Sequence, residues 1–252
     1  MTIRTKPQAT VGRRFLKGLR RRIVLALMLV AAGFPLGALA DGDPWEGANR
    51  KVYGFNDTLD RWLLKPVAKG YDWLFPKPIK RGIRNVFTNI GTPVVALNQL
   101  LQGKPGLAVS DTTRFVLNST LGLAGIFDVA TPNGLPAHDE DFGQTFVRWG
   151  VPDGRFLMLP LAGPSTPTAA VGSVLDGLTN PIRLISPKRD RYIIRGIRLI
   201  DRRANLLSTE SLITGDPYVF IRDAYMQRRD YLINDGVVED DPFLDEYDED
   251  YE

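Results

Sequence analysis

The chain has 252 residues, 44% of them hydrophobic, which suits one large globular domain or two small ones. Its net charge of +3 is unevenly placed: residues 1–40 hold eight Lys/Arg and no acid, residues 41–235 hold 24 bases and 20 acids, and residues 236–252 hold nine acids and no base. Without the first block, 24 bases face 29 acids, so net charge gives no argument for a nucleic-acid partner; zero cysteine also excludes disulfides, thiolate metal sites and cysteine nucleophiles.

Arg13, Arg14, Lys17 and Arg20 to Arg22 precede an apolar run from Ile23 to Ala32, then Pro35 and the small-residue site Ala38-Leu39-Ala40. This pattern predicts an export signal over residues 1–40, cleaved after Ala40 to leave an unacylated Asp41. Arg13-Arg14-Phe15-Leu16-Lys17 resembles a twin-arginine signal with one residue missing, which favours the general secretory route. The competing reading is an uncleaved anchor: the run is shorter than the ~20 residues of a spanning helix, but Gly33 to Leu39 extend it.

Three of the four tryptophans, Trp45, Trp62 and Trp73, lie between Asp43 and Thr92, interleaved with Lys and Arg. Asp43 as N-cap, Pro44 at the first helical position and Glu46 closing a capping box predict a helix start. Val52, Phe55, Leu59, Trp62 and Leu63 recur at helical spacing, with Arg50, Lys51, Asp57 and Asp60 on other faces. Pro66 and Pro78 are expected to open two further helices, the second with Ile79, Ile83, Val86, Phe87 and Ile90 on one face. Basic helices carrying Trp45, Tyr53, Phe55, Trp62, Trp73 and Phe75 suit a membrane interface, and equally the core of a soluble α-domain, because periodicity does not say what covers an apolar face.

Thr92-Pro93 is expected to start another helix that stops at Gly103, and Lys104-Pro105 the next. Leu121 to Ala130 is apolar, with Gly122 and Gly125 allowing a close approach or a tight bend. Thr131 to Gly143 is a Pro/Gly loop, longer than the usual ~4–6 residues, with Asn133, Gly134, His138, Phe142 and Gly143 as candidate elements of a mobile segment; a plain surface loop is the alternative. Gln144–Trp149 and Arg155–Leu161 flank Pro152-Asp153-Gly154, where either a short hairpin or a helix followed by an extended segment fits. Leu161 to Pro167 leads into a capped helix. Lys188 to Ser208 places Ile193, Ile197, Ile200, Ala204 and Leu207 opposite Arg195, Arg198, Arg202 and Arg203. Asp216-Pro217 repeats the opening cap and launches a helix through Tyr218 to a Gly236 stop, and residues 237–252 read as a disordered acidic tail. No segment after the leader approaches roughly eighteen consecutive apolar residues. The reading is mainly α.

Groups able to do covalent chemistry are few. His138 is the sole histidine, which excludes a two-histidine zinc site and leaves one base for a serine triad, yet there is no G-x-S-x-G elbow or P-loop. Ser165 reads as part of a helix cap. Asp139, Glu140 and Asp141 lack the spaced ligands and glycine turn of a calcium loop, so a solvated loop is the expectation and no metal or cofactor is implied.

Asp43-Pro44-Trp45-Glu46, Asn49-Arg50, Val52-Tyr53 and Phe55-Asn56 together resemble the opening of the MlaA/VacJ family of Gram-negative outer-membrane proteins. The similarity continues through Arg114-Phe115, Asn118, Gly122–Asp128, Asp141-Phe142-Gly143-Gln144-Thr145 and Leu159-Pro160-Leu161, and closes with Asp216-Pro217-Tyr218 and the residues up to Gly236. The resemblance implies a single ring-like helical domain over residues 41–236, lying in the inner leaflet of the outer membrane, with a central polar passage for phospholipid headgroups. It also implies a porin trimer and a soluble periplasmic lipid carrier as partners, and a non-enzymatic role in maintaining lipid asymmetry. A periplasmic lipid-modifying enzyme and a structural envelope protein are the alternatives. The chain departs from the family pattern twice: Ala40-Asp41-Gly42 stands where relatives carry a lipobox cysteine, and Thr168-Ala169 stands where they often have Arg-Asp.

Overall fold

A computed structural model describes residues 43–237; the leader with its cleavage site at Ala40 and the acidic tail beyond Val237 lie outside the described residues. The first helix, α1, spans Glu46–Leu59, runs without a break through a π-helical turn at Asp60–Leu64, and continues as α2, Lys65–Leu74. Pro66 therefore does not open a separate helix. Proline has no N–H for the carbonyl four residues back, and the widened turn occupies the place of that missing bond.

The opening cap also differs from the sequence expectation. Asp43 Oδ1 accepts from Trp45 N at 2.9 Å, one turn before the helix, and Glu46 reaches Arg50 Nε at 2.6 Å instead of returning to close a box. The second Asp43 oxygen is held by distant groups, Asn49 Nδ2 at 2.9 Å and the Tyr218 hydroxyl. Tertiary partners have captured the capping side chain.

Helix α3, Lys77–Gln102, passes straight through Pro93, so Thr92-Pro93 starts nothing. The stop at left-handed Gly103 (φ 83°) is where the sequence places it, and α4 follows at Pro105–Thr120. Gly125 (φ 91°) lets the next segment lie against α3, since a Cβ there would stand 2.6 Å from Asn89 Cβ. Phe142 and Gly143 belong to a short helix, α5, Phe142–Arg148, and not to the loop before it.

The helix-then-extended alternative holds at residues 144–161. Strand β1, Leu157–Leu159, pairs antiparallel with β2, Gly163–Ser165, so the hairpin turns at Pro160 to Ala162 and not at Pro152-Asp153-Gly154. Thr166, rather than Ser165, caps α6, Pro167–Thr179, by accepting from Ala169 N at 3.1 Å. Helices α5 and α6 cross with their backbones in contact: a Cβ on Gly172 would stand 2.2 Å from Gly143 N. Helix α7, Lys188–Asn205, and α8, Pro217–Ile233, complete the chain, and Asp216 caps α8 through Tyr218 N at 2.9 Å, as its sequence signals.

Packing runs in a closed circuit: α1 on β1, β1 on β2, β2 on α8, α8 on α5, α5 on α3, α3 on α7, α7 on α2, and back to α1 through the π turn. Two small apolar clusters hold it. One gathers Val94, Phe142, Phe146 and Val151; the other gathers Phe156, Met158 and Tyr218 with Tyr53 and Tyr225 against them.

Candidate functional site: a polar cleft in an apolar shell

The distribution of side chains reverses that of a soluble domain. Trp62 (83% exposed), Trp73 (87%), Leu63, Leu74, Ile79, Val116 and Leu184 face outward, while Asn89, Asn98, Gln99, Gln102, Asp111, Arg114 and Asn118 are buried. Among the described residues, no helix is long and apolar enough to cross a membrane. The six aromatic interface candidates divide. Trp62, Trp73 and Phe55 point out, whereas Tyr53 packs edge-on against Tyr218, Phe75 lies on Tyr71, and Trp45 is half-buried.

Helices α3 and α4 enclose a cleft of about 280 Å³. Arg84, Asn85, Thr88, Asn89 and Thr92 line it from α3, Arg114 and Asn118 from α4, and Asp128 and Ala137 from the segment that follows. Its wall is a fixed hydrogen-bond lattice. Asp128 accepts from Asn118 Nδ2 (3.1 Å), Thr131 N (3.1 Å) and the Thr131 hydroxyl (2.5 Å), and Arg114 Nη2 lies 3.4 Å away. Burial alone would raise the Asp128 carboxyl, but the Thr131 and Asn118 donors and the Arg114 charge hold it below its ordinary value. Asn118 Oδ1 meanwhile accepts from Val129 N (2.8 Å) and Ala130 N (3.0 Å), which pins the Gly122–Asp128 segment to α4.

The loop from Thr131 is tethered both at its tip, where Asn133 Nδ2 donates to Val129 O at 2.8 Å and Arg114 to Leu135 O, and beyond it. Asn133 and Gly134 are exposed, but His138 Nδ1 lies 2.7 Å from Asp111 Oδ2, whose carboxylate also accepts from Gln99 Nε2 at 2.7 Å. Glu140 is buried and meets Lys104 Nζ at 2.9 Å and Gln102 Nε2 at 2.8 Å. His138 and Glu140 are thus not the solvated groups expected from a run of acids; α3 and α4 supply the opposite charges and amides. Asp111 is the only hydrogen-bond partner of His138 among the described residues, and no cluster of three or more His, Asp or Glu that could hold a metal occurs among them.

The internal family residues Arg114, Asn118 and Asp128 line the cleft, whereas the two end motifs, Asp43 to Asn56 and Asp216 to Tyr218, do not; they clasp the ring. Asn49 and Asn56, seven apart on one face of α1, treat β1 as a neighbouring strand would. Asn49 gives Nδ2 to Phe156 O (3.2 Å) and accepts from Met158 N (2.9 Å), and Asn56 gives to Leu159 O (2.9 Å) and accepts from Leu161 N (2.8 Å). Arg50 joins Glu46 and Asp216 (2.8 Å to Oδ2) and lies 4.5 Å over the Tyr218 ring, so Pro44 and Pro217 start neighbouring turns of one joint. A second joint lies where α8 meets α5. Arg229, 4% exposed, holds Asp141 Oδ2 at 3.1 Å and Asp153 Oδ1 at 3.0 Å.

Next to this joint, burial and the neighbouring Asp141 push the Asp176 carboxyl up to about 6, against the Phe142 N–H that donates to it at 3.2 Å. Because the folded value exceeds the ordinary 3.8, the stability this carboxyl contributes is complete below about pH 4 and lost as pH rises through 6. Asp176→Asn keeps an acceptor for Phe142 N and has no charge to bury. Thermal melts should show the variant more stable than the parent at pH 7.5 and indistinguishable from it at pH 4; an equal difference at both would mean that Asp176 is freely solvated.

Sequence reading missed the cleft residues Arg84, Asn85, Thr88, Asn89 and Asp128 as a site. The available signal was the recurrence of small polar side chains at 85, 88, 89 and 92, one helical face, opposite apolar Phe87, Ile90 and Val94. With large apolar side chains exposed and a polar cleft inside, the ring defines a class: a helical protein with uncovered apolar surface around a buried polar cleft. The chain belongs to the MlaA lipoprotein family, whose model matches residues 41–232. The intermembrane phospholipid transport system lipoprotein MlaA of Escherichia coli K12 is 35% identical over 207 residues, covering 77% of this chain and 79% of its own. The protein of the same description from Haemophilus influenzae is 32% identical, covering 77% and 80%. A structure solved in work on the structural basis for maintenance of bacterial outer membrane lipid asymmetry superposes with a TM-score of 0.66 at 32% identity, covering 76% of this chain and 99% of the other.

Proposed function

We infer that this chain is a non-enzymatic component of intermembrane phospholipid transport that maintains outer-membrane lipid asymmetry. The observation that carries the reading is the polar cleft between α3 and α4 inside an apolar-flanked ring. A phospholipid in transit keeps its acyl chains against the apolar flank and moves its headgroup past Arg84, Thr88 and Asn118, so the charged group never enters hydrocarbon. The ring lies in the periplasmic leaflet of the outer membrane, held by Trp62, Trp73 and Phe55. A porin trimer against the apolar flank and a soluble periplasmic carrier at the exit complete the route. The loop from Asn133 to Ala137 borders the cleft at Ala137 and is held by Arg114, which donates to Leu135 O, and by Asn133 Nδ2, which donates to Val129 O at 2.8 Å; lipid passage moves it by opening these two contacts.

The His138–Asp111 pair keeps a hydrolase in view, because such a pair is two members of a catalytic triad. Protein extracted from membranes should carry intact phospholipid and release no fatty acid from phospholipid vesicles. Fatty acid release that disappears in His138→Gln would replace transport by hydrolysis, and protein carrying no phospholipid would remove the transport reading.

A further inference from the structure

Arg191, Arg195, Arg198 and Arg202 follow one another on α7 at steps of four, three and four, a single face of an α-helix. The same helix pairs a cation off this stripe well: Arg203, one position on, holds Asp60 Oδ1 and Oδ2 at 2.7 Å each. None of the four stripe residues has a carboxylate partner among the described residues. Two of them are also withdrawn from water. Arg191 Nε is buried with no acceptor, and the Arg198 guanidinium sits 6.0 Å over the Phe87 ring on α3. Burial, with Arg202 beside it, pushes Arg198 down to about 10. Across the seam stands Arg84 of α3, which donates only to the Asn205 amide oxygen and lines the cleft.

A solvated basic face accounts for Arg195 and Arg202 but not for guanidinium atoms buried without a counter-ion, because like charges four apart repel and a desolvated cation without an anion is costly. The planar fork of arginine matches a phosphate oxyanion in two-point contact. We propose that the Arg191–Arg202 stripe, together with Arg84, is a binding track for the phosphodiester of a lipid headgroup, running from the rim of the cleft along the seam between α3 and α7. The proposal rests on the reading that phospholipid passes the cleft, and it names the groups that hold the phosphate on the way. A phosphodiester and free inorganic phosphate share the required oxyanion, so both serve as probes.

The full chain in non-ionic detergent is titrated with dihexanoylphosphatidylglycerol below its micellar concentration, and separately with inorganic phosphate. The expected result is saturable binding of the short-chain lipid, weakened about tenfold to a hundredfold in Arg198→Gln and in the exposed-site variant Arg202→Gln, each losing one charge-assisted contact. Arg198→Gln without lipid should melt at or above the parent temperature, because an uncompensated buried charge is gone. Unchanged lipid affinity in both variants overturns the track. So does a lowered melting temperature of unliganded Arg198→Gln, which assigns that arginine to structure, and inorganic phosphate binding as tightly as lipid overturns the lipid source. If extracted wild-type protein carries no phospholipid but the titration gives the expected losses, the transport reading falls and the track stands. Retained phospholipid with unchanged affinity in the variants removes the track alone.

Discussion

Arg229→Met should lower the free energy of unfolding by about 3–5 kcal/mol, the usual cost of removing one partner from a buried charge pair. The side chain is 4% exposed and anchors α8 to two other elements, Asp141 at the start of α5 and Asp153 in the turn before β1. Burial by itself would lower the guanidinium, yet Asp153 and Asp141 hold it above its ordinary value. Methionine replaces the volume and not the charge. Asp141, Asp153 and the already raised Asp176 are then left facing one another with no cation between them. Asp141 also caps α5 through Gln144 N at 2.6 Å, so a displaced Asp141 side chain would weaken that helix start as well. Urea unfolding at pH 7 measures the loss, and the deficit should shrink at pH 5, where Asp176, raised to about 6, takes up its proton and one of the three like charges is gone. A deficit under about 1 kcal/mol would mean that water reaches the joint and screens it.

What was legible in the sequence was what is local. Asp216-Pro217 predicts a cap because a capping side chain needs only the backbone two or three residues on, and Gly103 stops α3 because left-handed backbone is a property of the residue itself. Pro93 and Pro66 misled for the same reason. A proline costs a helix one hydrogen bond, and that loss stops neither chain segment: α3 continues through Pro93, and a π turn precedes Pro66. Asn49 and Asn56 stand seven apart, so their shared face was readable, but the strand they bind lies more than 100 residues away and nothing local announces it. The family motifs were likewise legible as motifs. Their role in clasping α1, β1 and α8 was not.

The cleft was illegible for a more general reason. Periodicity separates an apolar from a polar face and then assumes that water lies on the polar side. In this ring Asn85, Asn89, Arg114 and Asn118 turn the polar side inward, where Asp128, Ser119 and the backbone of Val129 and Ala130 replace water. His138 was misjudged by the same rule, because its acidic neighbours suggested a solvated loop while buried Asp111 waited on α4. The apolar side then has nothing among the described residues to cover it.

That uncovered side sets the remaining prediction. Trp62→Glu/Trp73→Glu should fold like the parent and leave the membrane. At 83% and 87% exposed, both indoles have little packing to lose, so thermal stability should hold. Under the proposed placement in the leaflet each is covered by lipid, beside Leu63 and Leu74, which are also exposed. A tryptophan carries ~150–250 Å² of surface and apolar burial is worth about 25 cal/mol per Å², so half-immersion contributes about 2–3 kcal/mol per residue. Losing both costs the protein on the order of a thousandfold to ten-thousandfold in partitioning, before the penalty for inserting two carboxylates. Flotation with phospholipid vesicles reads the difference directly. The wild type should float even in 1 M salt, where charges are screened beyond roughly 3 Å and only burial remains, while the double variant should stay at the bottom of the gradient at any salt. Salt-sensitive flotation of the wild type would assign attachment to the arginines, and unchanged flotation of the folded variant would mean that another protein, rather than lipid, covers Trp62 and Trp73.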